Sequence, residues 1–234
     1  MLRTSLLRIA VVIAVAAVVL FCLKEPLFDA VLAPARGDFI TYRWLGADPY
    51  GVQLINTGLT RQFAAHIHIA VYAAMALAFP YILWELFRFV APGLYDHERR
   101  YVRAVLLGGT TMFYAGAALA YWLIFPVSLR FLATYQVSLD VPNIITLDSY
   151  ISTLLSLLLT MGLVSELPVV VWLAGRMGLV RRQQLQAWHR HVVVILLVVA
   201  AIVTPTTDAV TLLLVTIPLL ALYELGVVLV PRGQ

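Results

Sequence analysis

VVVILLVVAAIV (192–203), TPTTD (204–208) and AVTLLLVTIPLLALY (209–223) form two apolar runs around a five-residue polar tip. Neither run carries a charge, and neither alternates as a half-buried strand would. A helix that is apolar on every face has to be covered all round, in a large core or in lipid. At ~1.5 Å per residue the first arm is roughly 18 Å long and the second a little longer. Both fall short of a ~30 Å hydrocarbon core. Arg190 and His191 open the first arm and Glu224 closes the second. The stretch therefore reads as a short membrane hairpin.

Upstream, four apolar runs have ordinary spanning length: 6–23, 66–90, 102–125 and 150–173. With the hairpin they make six spans, and the fold class is an all-α polytopic membrane protein with a single six-helix membrane domain over 1–234. Composition agrees: 62% of residues are hydrophobic and 12% charged, against roughly 45–50% and ~25% in soluble domains. Residues 24–65 hold prolines and glycines without a helical period and predict an ordered extracytoplasmic loop, with short helices around 27–32 and 59–65. Pro80 kinks the second span. The third stops at Pro126, and its Gly108, Gly109, Ala115, Gly116, Ala117, Ala118 and Ala120 offer small surfaces for helix packing. The N-terminal run reads as a retained helix rather than a cleaved leader, because its small-x-small site, Ala33-Pro34-Ala35, lies far downstream and contains proline.

With the N-terminus inside, eleven of the sixteen Lys and Arg residues face the cytoplasm: Arg3, Arg8, Arg88, Arg99, Arg100, Arg103, Arg176, Arg181, Arg182, Arg190 and Arg232. The other five are Lys24, Arg36, Arg43, Arg61 and Arg130. The excess predicts cytoplasmic N- and C-termini. No basic run interleaved with aromatics suggests nucleic acid. The lone Cys22, inside an apolar run, excludes a disulfide framework.

The loop between the second and third spans is the most informative. Pro92-Gly93 breaks the chain, and Asp96 and Glu98 then stand at the start of the next helix. Two readings are open: capping acids at the positive end of a helix, or a cytoplasm-facing carboxylate site for a cation, walled by Phe89 and Tyr95. Glu166 lies inside the fourth span, where a charge is costly and faces the bundle interior or water by default. It is either a functional acid or a protonated or paired structural one. His66-x-His68 and His189-x-His191 do not converge, because residues two apart on a helix face different ways. No metal, cofactor or nucleotide site is expected, and no serine has the partner that nucleophilic catalysis would need.

Pro80…Trp84…Phe87…Phe89-Val90-Ala91-Pro92-Gly93-Leu94-Tyr95…Glu98-Arg99-Arg100 resembles the TatC family, the large subunit of the twin-arginine protein translocase. Phe113-Tyr114-x-Gly116, Ala120-Tyr121…Phe125-Pro126, Glu166-Leu167-Pro168, Thr204-Pro205…Asp208 and Ile217-Pro218-Leu219…Tyr223-Glu224 extend the likeness over nearly the whole chain. The resemblance implies a concave six-helix bundle with short last helices, in a bacterial or archaeal plasma membrane. It implies a receptor, not an enzyme, that binds twin-arginine signal peptides of folded cargo at the cytoplasmic face. Assembly with single-span TatA/TatB-type partners, self-association, contact with membrane lipids and use of the proton-motive force are implied with it. Glu98 would receive the signal arginines in a bidentate pair that lysine cannot copy, with Phe89, Pro92, Leu94, Tyr95, Arg99 and Arg100 shaping the site. Glu166 matches the family's intramembrane acid, Thr204, Pro205 and Asp208 the partner-docking tip, and Pro34 an Ala-Pro element of the first loop.

The chain departs from the family pattern in places. The Glu of the family's opening His-x-x-Glu-Leu-Arg falls on Met1, Leu212 stands where a polar residue is frequent, and His68 where lysine is common. Glu85 or Asp96 could stand in as a second acid, although an i,i+3 pair of Glu85 with Arg88 explains Glu85 more simply. The competing function is a small-solute, proton-coupled transporter built on Glu166. It would call for an inverted repeat, and the halves differ, one with a long loop and the other with a short hairpin.

Overall fold

Lipid offers no partner to a backbone amide or carbonyl, so a spanning chain satisfies its hydrogen bonds internally and folds as helix. The computed structural model describes residues 2–44, 46, 51–90, 102–135, 144–204 and 208–230. Its helices are α1 (Leu2–Cys22), α2 (Lys24–Leu32), α3 (Ile40–Trp44), α4 (Arg61–Val90), α5 (Val102–Leu119), α6 (Phe125–Thr134), α7 (Leu147–Val164), α8 (Leu167–Arg176), α9 (Arg182–Ala187), α10 (His189–Val203) and α11 (Ala209–Leu229). A 3₁₀ turn, Ala33–Ala35, follows α2, and a π turn, Ala120–Ile124, joins α5 to α6. Among the described residues five helical stretches are long and apolar enough to cross a membrane, and α10 is a shorter apolar helix.

Several helix boundaries differ from the sequence expectation: the second span begins at Arg61 rather than 66 and takes in the short helix expected at 59–65, and a helix not expected there, α3, lies at Ile40–Trp44. The third span does not stop at Pro126 but continues to Thr134. Proline has no N–H for the carbonyl four residues back, that of Trp122. The π turn absorbs the defect: Phe125 N–H reaches Ala120 O, an i→i+5 bond, and the Thr41 hydroxyl donates to Trp122 O. The fourth span is two helices, because Pro168 sits in the first turn of α8 and the chain turns at Ser165-Glu166. The last helix runs past Glu224 to Leu229, 21 residues or ~31 Å, so the expected shortness does not hold for it. Of the two hairpin helices it is α10, with 15 residues and ~22 Å, that is short.

The chain forms two compact units. One comprises Ala10–Ala78 and Ala118–Leu159. Here α2, the 3₁₀ turn and α3 make a cap whose carbonyls are taken by tyrosines. Tyr121 Oη donates to Ala30 O at 2.5 Å, Tyr150 Oη to Val31 O at 2.8 Å, and Tyr42 Oη to Pro34 O at 2.9 Å, shared with Pro126 O at 3.3 Å. The last carbonyls of a helix lack internal donor partners, and these phenols supply them. Burial pushes the Tyr42 hydroxyl up to about 12, against the pull of the nearby Arg130 cation. Arg61 pairs with Asp148, and two-residue parallel strands, β1 (Leu54–Ile55) and β2 (Ile145–Thr146), join the segments that precede α4 and α7.

The other unit comprises Met1–Ile9, Phe79–Ala117 and Thr160–Gln234. Its core is closed by small residues. A Cβ on Gly116 would lie 2.6 Å from Met161 O, and one on Gly162 would lie 2.7 Å from the Phe113 ring. Phe113 in turn stacks on Phe79 with centroids 3.6 Å apart. Helix α11 packs along α8, with Gly226 against Pro168 and Gly175 against Val230.

Candidate functional site

Spacing places Tyr81, Glu85 and Arg88 on one face of α4. The Glu85 side chain is fully buried, and Arg8 Nη1 from α1 approaches its Oε1 at 3.5 Å, with Arg88 Nη1 at 3.7 Å. Tyr81 Oη donates to the same oxygen at 3.2 Å, and the Ser5 side chain is hydrogen-bonded to the carboxylate. Among the described residues nothing donates to Oε2. The i,i+3 pair with Arg88 was legible in the sequence. Arg8, 77 positions away, was not, because nothing in a sequence states which face of α1 meets α4. Arg88 also rests over the Trp84 ring, 5.5 Å from its centroid.

Phe89 lies one residue beyond, half-exposed, and is the only expected signal-peptide contact among the described residues. Pro92, Leu94, Tyr95, Glu98, Arg99 and Arg100 lie outside them, as does Asp96. At the hairpin tip Pro205 also lies outside them, whereas Thr204 and Asp208 are described. Thr204 is buried and donates to Ala200 O at 2.9 Å, and Asp208 caps α11 by accepting from Thr211 N–H at 2.7 Å.

Glu166 stands at the break between α7 and α8 rather than within an unbroken helix. It is the N-cap residue of α8 and makes no capping bond. A carboxylate there meets the positive end of the α8 dipole, which offsets part of its cost in apolar surroundings. The side chain is held against α5: a Cβ on Gly109 would lie 2.8 Å from Glu166 Oε2 and 2.9 Å from Leu83 Cδ1. Glu166 Oε1 is buried with no partner among the described residues.

Both histidine pairs diverge as their spacing requires. His66 is buried, stacked on Phe21 at 4.0 Å and edge-on to Phe28, whereas His68 is exposed. His189 Nδ1 pairs with Glu224 Oε1 at 2.9 Å. The two line a shallow recess of about 340 Å³ with Gln186, Tyr223 and Val227, and Tyr223 Oη donates to Leu185 O at 2.8 Å. Among the described residues no group of three His, Cys, Asp or Glu side chains could hold a metal.

Long apolar helices, polar groups gathered at helix ends and a carboxylate at a helix break define a multi-pass membrane protein. The profile of the family described as "Sec-independent protein translocase protein (TatC)" matches residues 1–218. The TatC protein of Deinococcus radiodurans is 35% identical over 228 residues, covering 97% of this chain and 82% of its own. The chloroplastic TATC protein of Arabidopsis thaliana is 34% identical over 210 residues, covering 86% of this chain and 62% of its own. A crystal structure of the twin-arginine translocase receptor TatC in the detergent DDM superposes with a TM-score of 0.82 at 29% identity, covering 98% of this chain and 97% of that one. A second structure of that receptor gives 0.79 at 30% identity, with 97% and 95% covered. The chain belongs to the TatC family. It is a six-helix subunit of the Sec-independent protein translocase, and not an enzyme.

Proposed function

We propose that the chain is the signal-peptide receptor of a twin-arginine translocase. It recognises paired arginines at the cytoplasmic face and assembles with TatA/TatB-type single-span partners and with further copies of itself. Export of folded cargo is then driven by the proton-motive force. The observation that carries this reading is a likeness spanning 98% of the chain to structures described as the twin-arginine translocase receptor. The excess of basic residues on one side supports an inner-membrane topology with both termini in the cytoplasm. Glu98 is the acceptor for the signal arginines, with Phe89, Pro92, Leu94, Tyr95, Arg99 and Arg100 around it. Glu166 and the tip residues Thr204, Pro205 and Asp208 serve partner helices. All of these residues belong to one membrane domain, 1–234.

The test is complementation. Cells lacking their own TatC subunit are expected to export a folded twin-arginine reporter when this chain is supplied with matching single-span subunits. The Glu98→Ala variant, at an unchanged membrane level, is expected to lose both export and crosslinking to a twin-arginine peptide. Undiminished crosslinking would remove Glu98 from the site.

A further inference from the structure

The connection from α8 to α10, residues 177–191, sets positive charge beside open apolar surface. No Asp or Glu occurs between Glu166 and Asp208, whereas four arginines do: Arg176, Arg181, Arg182 and Arg190. Arg181 and Arg190 are exposed and Arg182 is half-buried. Among the described residues no carboxylate pairs with these three. The acid that α11 brings to this end, Glu224, is taken by His189 at 2.9 Å. Helix α8 ends in a Schellman turn, in which Gly178, at φ 73°, donates to Gly175 O at 3.1 Å and Leu179 N–H to Ala174 O at 3.0 Å. An apolar residue in the place of Leu179 frequently packs back on the helix it follows. Leu179 is instead 70% exposed, and Trp188, between α9 and α10, is 66% exposed.

The bias of arginine toward one side of a membrane accounts for the charge. It does not account for two large apolar side chains left open among the arginines. A headgroup region accounts for both. Tryptophan is favoured at that depth, because its ring is apolar and its N–H polar, and anionic headgroups attract clustered arginines. Helix α10 sets the depth. At 15 residues and ~22 Å it is shorter than the ~30 Å hydrocarbon core, and a short span is met by local thinning and by snorkelling of its flanking residues. Trp188 is the N-cap of that helix, so the connection lies at its mouth.

We propose that residues 177–191 form a lipid-binding surface that gathers anionic phospholipids of the facing leaflet beside α10. Arg181, Arg182 and Arg190 hold the headgroup phosphates, and Leu179 and Trp188 enter the acyl boundary. The bilayer is then thinned at the place where its headgroups are held. In the topology read from the sequence that leaflet is the cytoplasmic one. The surface stands independently of the receptor reading above, since it needs no signal peptide.

The experiment uses the full-length chain in phosphatidylcholine vesicles, with a donor fluorophore on Gln183→Cys, an exposed position, in a Cys22→Ser background. Trace acceptor-labelled phosphatidylglycerol is compared with acceptor-labelled phosphatidylcholine. Energy transfer is expected to show the anionic lipid enriched about fivefold beside the donor, the scale of one arginine–headgroup contact. The enrichment should fall to parity in the triple variant Arg181→Gln, Arg182→Gln, Arg190→Gln. It should also shrink as salt rises from about 0.1 to 1 M, where the Debye length drops from ~10 to ~3 Å. Should the triple variant fail to fold, the salt series and Arg190→Gln alone, expected to lose part of the enrichment, still decide. A donor on Thr57→Cys, exposed ahead of α4, should report no such enrichment. Equal enrichment there, none beside Gln183, or a triple variant that keeps it overturns the proposal. Millimolar inorganic phosphate at constant ionic strength should leave the transfer unchanged, and displacement would assign the arginines to a soluble anion instead. If the anionic lipid is not enriched while the triple variant loses export of a twin-arginine reporter, the arginines serve an acidic protein segment and the lipid surface falls.

Discussion

Tyr42 shows how one side chain couples the cap to the span beneath it. Its hydroxyl reaches the carbonyls of Pro34 and Pro126, and its ring carries the Arg130 guanidinium at 5.9 Å. Burial holds the phenol protonated to about pH 12, against 10 for an ordinary tyrosine. The folded state therefore keeps a proton that the unfolded state releases as pH climbs past 10. Stability from this group is complete below pH 10 and drains away between 10 and 12, by roughly 2–3 kcal/mol in full. Thermal unfolding of the detergent-purified protein should thus show a midpoint that falls as pH is raised above about 10. Tyr42→Phe should start lower, by about 1 kcal/mol for the lost hydrogen bond, and lack this part of the alkaline fall. Parallel pH curves for the two proteins would rule out the phenol as the titrating group. The positions of Glu166 and Glu85 differ in how readable they are. That an acid inside an apolar run is special was plain. That Glu166 sits at a helix break against a glycine, and that Glu85 meets Arg8, depends on helix register, which no local pattern encodes.

Among the elements, α10 is the one out of scale with a bilayer. Its 15 residues give ~22 Å, and Val194, Ile195, Val198 and Ile202 are exposed along it, so lipid or another helix has to cover an apolar cylinder shorter than the hydrocarbon. Mismatch of this kind costs fractions of a kcal/mol per Å and is met by local thinning. Reconstituted into bilayers of graded acyl length, the protein should be most stable in lipids thinner than average. Four apolar residues inserted at the centre of α10, adding about 6 Å, should move that optimum toward thicker ones. An optimum that ignores the insertion would assign the preference to other helices. The apolar runs themselves were legible because hydrophobic length is a local property. Helix ends were legible only where the terminator acts locally. Pro126 looked like a stop, but the carbonyl it leaves without an N–H is met by a distant side chain, Thr41. The tyrosines that fasten the cap were hidden for the same reason, since each bonds to a carbonyl supplied by another part of the chain.

At the scale of the whole molecule, an even number of spans and the basic excess on one side predict that both termini lie in the cytoplasm. The single cysteine makes this easy to check. In a Cys22→Ser background, a cysteine placed near either terminus should react with an impermeant maleimide in inverted membrane vesicles and not in intact spheroplasts. The opposite labelling pattern would invert the topology. The fastenings at the cap and at the base of α4 then respond differently to an energised membrane. A transmembrane voltage acts on charge, at ~2.3 kcal/mol per elementary charge per 100 mV traversed. The phenols of Tyr42, Tyr121 and Tyr150 carry no net charge when they hold the carbonyls of Pro34, Ala30 and Val31. These joints are electrically silent, and the cap stays latched whether the cell is charged or discharged. The guanidinium of Arg8 enjoys no such immunity, and the field can do work on that joint.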